Sequence, residues 1–226
     1  MKNKFWYVCV GIFSSLVYLL AVVYAVVFFG MARGNFFDSI IEKRQLEMHL
    51  EIDAEELEQV MDRLMAYVKC WDETDSPQMK VVVAGVEADF YTEEELVHLA
   101  DVQRLMEGMS KVFLALTFTA ILGTVYLWKK KQLKNMALGY FVALGLIVAC
   151  GISIGLIMLQ GTQEFIQWFH HIFFPQGGWM FHSAYSRIVW FFPNMLYEKA
   201  LLFACGWLVP VVILFTTLSV WIWKRK

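Results

Sequence analysis

The stretch from Phe5 to Met31 reads FWYVCVGIFSSLVYLLAVVYAVVFFGM and carries no charged residue. Roughly 20 apolar residues in an α-helix cross the hydrocarbon core of a bilayer, so this stretch is long enough to span a membrane. A secretory signal peptide has an apolar region of only about 7–15 residues. The stretch is therefore predicted to be a retained membrane helix, assigned to residues 1–31.

Three further apolar blocks, at residues 112–128, 136–160 and 200–223, are predicted to cross the membrane as well. The whole chain is 59% hydrophobic and only 18% charged, whereas a soluble domain has about 25% charged residues. This composition excludes a disordered protein and argues against a soluble one. The net charge of −2 and the absence of a basic patch argue against a nucleic-acid partner.

Clusters of basic residues flank the apolar blocks at Lys2 and Lys4, at Lys129, Lys130, Lys131 and Lys134, and at Lys224, Arg225 and Lys226, and all of them fall on the same side if the chain has four spans. Short basic flanks stay in the cytoplasm. The loop 129–135, the tail 224–226 and both termini are therefore predicted to be cytoplasmic. All 21 acidic residues fall in the two segments that this topology places outside, 32–111 and 161–199.

The sequence thus predicts an all-α membrane protein with four transmembrane helices and an extracytoplasmic, mainly helical cap formed by residues 32–111. In this cap, apolar residues recur at helical spacing after Asp53, which is a candidate N-cap. Val81, Val82 and Val83 mark the strand candidate, which Pro77 and Gly85 bracket.

A candidate chemical site begins at Thr92, which with Glu95 fits a capping box at the start of a helix. On this helix, His98 shares a face with Glu95 and Asp101. A carboxylate one turn away is expected to orient an imidazole and to raise its pKa. An ordinary surface histidine is the alternative.

The second external segment is rich in aromatic residues, and residues 164–174 fit an amphipathic interfacial helix. The helical wheel places His171 toward solvent and His170 at the edge of the apolar face, where burial would keep its imidazole neutral. The turn at 175–178 is expected to fold Trp179 and Phe181 back onto the helix. An aromatic belt without a chemical role is the alternative interpretation.

Several chemistries lack their sequence signatures. The five histidines lie outside the predicted spans, which argues against a haem held between helices. The sequence has no H-E-x-x-H, G-x-S-x-G or Walker motif and no C-x-x-C pair. No cofactor and no metal site are therefore predicted.

Together these segments resemble the lipoprotein intramolecular transacylases (Lit) of Gram-positive bacteria. The resemblance rests on Thr92-x-x-Glu95-x-x-His98-Leu99-x-Asp101-Val102, on Phe169-His170-x-Ile172-Phe173-Phe174-Pro175, and on Trp179-x-Phe181 and Phe192-Pro193. It implies a multi-pass protein of the plasma membrane whose catalytic site lies at the outer face, at the boundary between cap and membrane.

The resemblance also implies the reaction. One acyl chain moves from the sn-2 oxygen of a diacylglyceryl-modified lipoprotein to the α-amino group of its N-terminal cysteine, which leaves a lyso-form lipoprotein. The partners are that lipoprotein and membrane lipid. A non-enzymatic sensor or assembly factor, whose acidic cap binds a partner, is the alternative function.

Residues can be assigned to this reaction. Because the attacking amine belongs to the substrate, two imidazoles that move protons suffice, and His98 and His170 are predicted to be this acid–base pair. The supporting residues are predicted to be Glu95 and Asp101, which would orient His98, and Arg187, which would bind the carbonyl or a backbone group of the substrate. The pocket walls are predicted to be Trp168, Phe173, Phe174, Trp179 and Phe181. His98 precedes Val112 by about 21 Å of straight helix, so the helix is expected to break near Gly108 or to lie along the membrane.

Overall fold

The structure is a computed structural model that describes residues 2–30, 46–70 and 75–225, except for the side chains of residues 2, 3, 29, 30, 194 and 195. The end of the first predicted helix at Met31 and the first part of the predicted cap, residues 32–45, lie outside the described residues. The elements in chain order are α1 (Lys2–Gly30), α2 (Leu46–Leu50), α3 (Ala54–Val68), β1 (Lys80–Val83), β2 (Val86–Asp89), α4 (Glu93–Lys129), α5 (Leu133–Gln160), α6 (Thr162–Phe173), α7 (Ile188–Phe191) and α8 (Asn194–Lys224).

Within the described residues, four helical segments are long and apolar enough to cross a membrane. They are Lys4–Phe28, Glu93–Lys129, Leu133–Gln160 and Ile188–Lys224. The predicted fold class, a helical membrane protein with four spans, is therefore confirmed. The side of the membrane on which the cap lies stays a prediction.

The chain divides into two compact units, and α4 and α8 run through both. The first unit consists of Met1–Phe28, Ser110–Gly161 and Leu201–Lys226. In this unit α1 and α5 approach so closely that a Cβ on Gly139 would collide with the backbone of Gly11. Small residues allow such close backbone contact between membrane helices. The Tyr140 hydroxyl joins α5 to α8 through hydrogen bonds with the Val212 carbonyl at 3.0 Å and the Thr216 hydroxyl at 2.7 Å.

The second unit consists of Phe29–Met109 and Thr162–Ala200. The predicted cap at Asp53 is confirmed, because its side chain accepts a hydrogen bond from the Glu55 amide at 2.9 Å. Six apolar residues recur at helical spacing in α3. The helix buries Leu57, Val60, Met61 and Leu64, together with Tyr67, and leaves Met65 and Val68 half-buried. The predicted extended segment forms an antiparallel hairpin whose turn is Ala84-Gly85, and Gly85 has a φ of 83°.

The hairpin leads directly into α4. The side chain of Gln78 donates to the Tyr91 carbonyl at 2.7 Å and accepts from the Tyr91 amide at 3.0 Å. These two bonds fix the chain one residue before Thr92. Helix α4 then runs unbroken for 37 residues, so the first of the two expected alternatives, a break near Gly108, is wrong, and a helix that lies along the membrane stays a prediction. Good helix formers surround this glycine, and the cost of one interior glycine, about 1 kcal/mol, does not end a long helix.

Candidate active site

The first turn of α4 contains the predicted capping box, which the structure confirms. The Glu95 amide donates to the Thr92 hydroxyl at 3.3 Å, and the Glu95 carboxylate accepts from the Thr92 amide at 2.7 Å. The two bonds satisfy amide groups that a helix start otherwise leaves without partners. They also fix the register of the helix that carries His98.

The Glu95 carboxylate is fully buried and binds a second segment of the chain. Its Oε1 atom accepts from the Ser186 hydroxyl at 2.5 Å and from the Ile188 amide at 3.2 Å. The structure thus differs from the prediction that Glu95 orients His98. The capping box turns this carboxylate back toward the helix start, where it holds the segment before α7 against α4.

His98 lies one turn further along α4 and is only 7% exposed. Its ring centroid lies 5.0 Å from that of Phe174 and 5.7 Å from that of Phe181. Burial lowers the pKa of His98 to about 4, the nearby His170 acts in the same direction, and the Asp101 carboxylate opposes both. In the predicted topology His98 lies outside the membrane, because it precedes the span at 112–128. The neighbouring acid acts in the expected direction, but the net change in pKa is opposite to the expectation, because desolvation of the imidazolium outweighs the attraction of the carboxylate.

His170 and His171 are neighbours near the end of α6 with different surroundings. His170 is half-buried, whereas His171 is exposed, as the helical wheel predicts. The Nδ1 atom of His170 lies 2.7 Å from the carbonyl oxygen of Ile166, one turn earlier. A carbonyl oxygen only accepts hydrogen bonds, so Nδ1 carries the hydrogen and, in the neutral ring, Nε2 has the free lone pair. Burial lowers the pKa of His170, although this backbone hydrogen bond opposes the change.

The two histidines of the predicted pair lie next to each other. Their ring centroids are 5.8 Å apart, and the planes are inclined by 33°. Phe174 contacts both rings, and its centroid lies 5.6 Å from that of His170. The ring centroid of Trp179 lies 4.8 Å from that of His170. Each ring, when neutral, has one nitrogen that donates a hydrogen bond and one that accepts, so the pair can act on both a donor and an acceptor of a substrate.

Asp101 lies near His98, but its hydrogen bonds join other groups. One carboxylate oxygen binds Arg104, and the other accepts from the Gln176 side chain at 2.9 Å. Sequence reasoning missed Gln176 and also Ser186. A polar residue in the turn at 175–178 was the signal for Gln176, and the sequence offers no signal for the partner of Ser186.

The Arg187 guanidinium donates hydrogen bonds to backbone carbonyls of the chain itself. Its Nη1 atom donates to the carbonyl of Asp89 at 2.7 Å and to that of Phe90 at 3.2 Å. Its guanidinium also lies 5.8 Å from the centre of the Phe90 ring. Backbone carbonyls at the end of β2 thus accept from Nη1, because α7 begins beside the hairpin, and binding of substrate by the other N–H groups of Arg187 stays a prediction.

The predicted pocket walls fall into two groups. Phe174 and Trp179 are buried and contact His170, and Phe181 contacts His98. By contrast, Trp168 is 46% exposed and Phe173 is 38% exposed, and their ring contacts are with Phe165 and Phe169 on the same helix. The structure brings the first group to the histidine pair and leaves the second on the outer face of α6. Among the residues that the structure describes, no group of three His, Cys, Asp or Glu side chains could hold a metal ion.

Comparisons with known proteins find one family and one fold. The family model of the lipoprotein intramolecular transacylase Lit matches residues 8–197. Among solved structures, the membrane-integral lipoprotein intramolecular transacylase Lit from Bacillus cereus is similar with a TM-score of 0.75 and 17% identity, over 99% of this chain and 97% of that chain. Two structures of the same bacterial protein with one histidine replaced, by arginine and by alanine, give TM-scores of 0.69 and 0.72 at 18% and 16% identity. They cover 99% of this chain and 93% and 94% of theirs. A search of curated proteins finds no match.

Proposed function

The chain belongs to the lipoprotein intramolecular transacylase family, and we propose that His98 and His170 together catalyse its acyl transfer. The protein is an acyltransferase of the membrane that acts on lipoproteins. The observation that carries the proposed histidine roles is the separation of 5.8 Å between the two ring centroids, inside a cluster of aromatic side chains. Family membership does not favour the alternative of a non-enzymatic sensor.

The reaction transfers one acyl chain from the sn-2 oxygen of the diacylglyceryl group to the α-amine of the N-terminal cysteine in the same lipoprotein. The amine nitrogen attacks the ester carbonyl carbon, the bond from this carbon to the glyceryl oxygen breaks, and one proton passes from nitrogen to that oxygen. Counting the atoms between the two ends gives an eight-membered ring. Because medium rings close reluctantly, holding the substrate in this folded shape is a large part of the catalytic task.

We assign the proton transfer to His170. Its Nδ1 hydrogen is donated to the Ile166 carbonyl, so the free lone pair is on Nε2. Nε2 can therefore accept the amine proton and then return it to the glyceryl oxygen. His98 stays neutral near pH 7 because burial lowers its pKa to about 4. Its N–H can therefore donate a hydrogen bond to the ester oxygen on which negative charge develops.

The apolar surroundings suit a substrate with two acyl chains. Phe174, Trp179 and Phe181 are the proposed walls, because each contacts one of the two histidines. Because these walls exclude water and so lower the local dielectric constant, they also strengthen the hydrogen bonds to the reacting oxygen. We propose that this site faces the outer side of the plasma membrane with both termini in the cytoplasm, as the basic flanks indicate.

A crossed-label experiment tests the proposed reaction. The purified protein is given two diacylglyceryl lipopeptides, one with heavy acyl chains on a light peptide and one with light chains on a heavy peptide. Transfer within one molecule keeps each lipopeptide at its starting mass, removes its free amine and leaves one chain that base treatment cannot strip. Products that mix the two labels, or a product with three chains, would contradict the proposal.

A further inference from the structure

The turn that follows α6 is joined to α4 by one hydrogen bond outside the aromatic cluster of the two histidines. The side-chain nitrogen of Gln176 donates to Oδ2 of Asp101 at 2.9 Å, although the two residues are 75 positions apart in the chain. We name this contact the Asp101–Gln176 bridge. It connects two segments that the sequence offers no local reason to bring together.

The bridge lies close to both histidines along the chain. Asp101 is three residues after His98 and so shares its face of α4. Gln176 is six residues after His170 and follows the end of α6. The bridge therefore links the segment that carries one histidine to the segment that carries the other.

Two glycines follow Gln176 in this turn and allow the chain to reverse its direction. Gly177 and Gly178 both have positive φ, 81° and 77°, which side-chain-bearing residues rarely adopt. The chain then returns to place Trp179 against His170. A shift of this turn relative to α4 would therefore change the apolar surroundings of His170.

The carboxylate in the bridge is held as an anion. The hydrogen bond from Gln176 is the largest cause that lowers the pKa of Asp101, and Arg104 acts in the same direction. Hydrogen bonds to an ionised acceptor are stronger than neutral ones. Arg104 is bound to the other oxygen of Asp101 and is largely exposed, so it provides a control that leaves the bridge itself in place.

We propose that Asp101 and Gln176 are positioning residues, whose bridge sets the separation between His98 and His170. This proposal rests on the proposed roles of the two histidines. Misplacement of catalytic groups by about 1 Å can cost on the order of a hundredfold in rate. Loss of one solvent-accessible bridge is a smaller disturbance, and we expect it to lower kcat by about tenfold.

The test measures kcat and KM of the full-length protein with a synthetic diacylglyceryl lipopeptide. Asp101→Ala and Gln176→Ala are each expected to lower kcat by about tenfold with little change in KM, and the double variant is expected to be no slower than either. Asp101→Asn keeps an oxygen that accepts from Gln176 and is expected to restore most of kcat. Arg104→Ala is expected to stay close to the wild type.

Three results would overturn the proposal. A double variant about a hundredfold slower would show that the two residues act independently. An Asp101→Asn variant as slow as Asp101→Ala would show that the effect comes from the negative charge of Asp101 acting on His98 and not from the bridge. An increase in KM alone would indicate substrate binding. Melting temperatures of all variants, measured in the same detergent, identify any loss that comes from unfolding.

A parallel assay of His170→Ala separates this proposal from the proposed function. If His170→Ala keeps wild-type activity, the histidine roles are wrong and the bridge has nothing to position. If His170→Ala is inactive while the bridge variants match the wild type, the proposed function stands and the bridge proposal fails.

Discussion

The first two turns of α4 and the whole of α6 each carry one histidine of the pair, and they hold it in different ways. Around residue 95, α4 is part of a packed core, with Glu95 and His98 both buried. Among the described side chains of α6, from Thr162 to Phe173, none is buried. His98 is thus held by packing, whereas His170 is held by one backbone hydrogen bond and by ring contacts.

The difference separates stability from activity. A change in the buried turn of α4 disturbs a core, and a change on α6 disturbs few packed atoms. Substitutions in the buried turn of α4 should therefore cost stability as well as activity, while substitutions on α6 should lower activity with little change in stability.

The largest effect should come from the neighbours His170 and His171. We expect His170→Ala to lower kcat by about 10²–10⁴-fold, the range for loss of a general acid–base group, without unfolding the protein. We expect His171→Gln to keep most of the activity, because its side chain is exposed. Single-turnover conversion of a diacylglyceryl lipopeptide measures both variants. Equal losses would show that the assignment of these two rings is wrong.

The next largest effect concerns the core around His98. Glu95→Ala leaves three donors without their acceptor, the Thr92 amide, the Ser186 hydroxyl and the Ile188 amide. Because buried unpaired donors each cost about 1–3 kcal/mol, we expect a loss of several kcal/mol in unfolding free energy. Thermal unfolding in detergent measures it. Trp168→Ala on α6 serves as the matched control, and a Glu95→Ala protein as stable as this control would contradict the account.

The contacts of Glu95 show where sequence reasoning reaches its limit. The capping box, the cap at Asp53 and the hairpin could be predicted, because each depends on residues at most a few positions apart. The different surroundings of His170 and His171 could be predicted from helical periodicity. The bonds from Glu95 to Ser186 and from Asp101 to Gln176 span 91 and 75 positions. Local patterns cannot specify such partners, because they depend on how the chain between α6 and α7 packs on α4.

A smaller effect is expected in the pH dependence of stability. Burial lowers the pKa of His98 in the folded protein to about 4, whereas a histidine in an unfolded chain has a pKa of about 6.5. Between these values the unfolded chain binds a proton that the folded chain does not, so stability falls as pH falls from roughly 6.5 toward 4. His98→Gln should flatten this part of the curve of unfolding free energy against pH. A curve with the same slope in His98→Gln and wild type would contradict the burial of a neutral His98.

The smallest effects on stability should come from the aromatic residues of α6. Trp168→Ala and Phe173→Ala remove exposed side chains, and surface changes usually alter stability by less than about 0.5 kcal/mol. Trp179→Ala removes a buried ring that contacts His170 and should cost more stability and more activity. Activity and melting temperature measured side by side rank the three. A Trp168→Ala variant more impaired in kcat than Trp179→Ala would show that the substrate pocket lies on the outer face of α6.

The measurement that tests the central claim most directly is the rate of the double variant His98→Ala/His170→Ala beside those of its two single variants. Residues that act on one reacting group as a unit lose their effects non-additively. We predict that the double variant, folded by its melting temperature, is no more than a few-fold slower than the slower single variant. Single losses that multiply in the double variant would contradict the claim that His98 and His170 work as one catalytic pair.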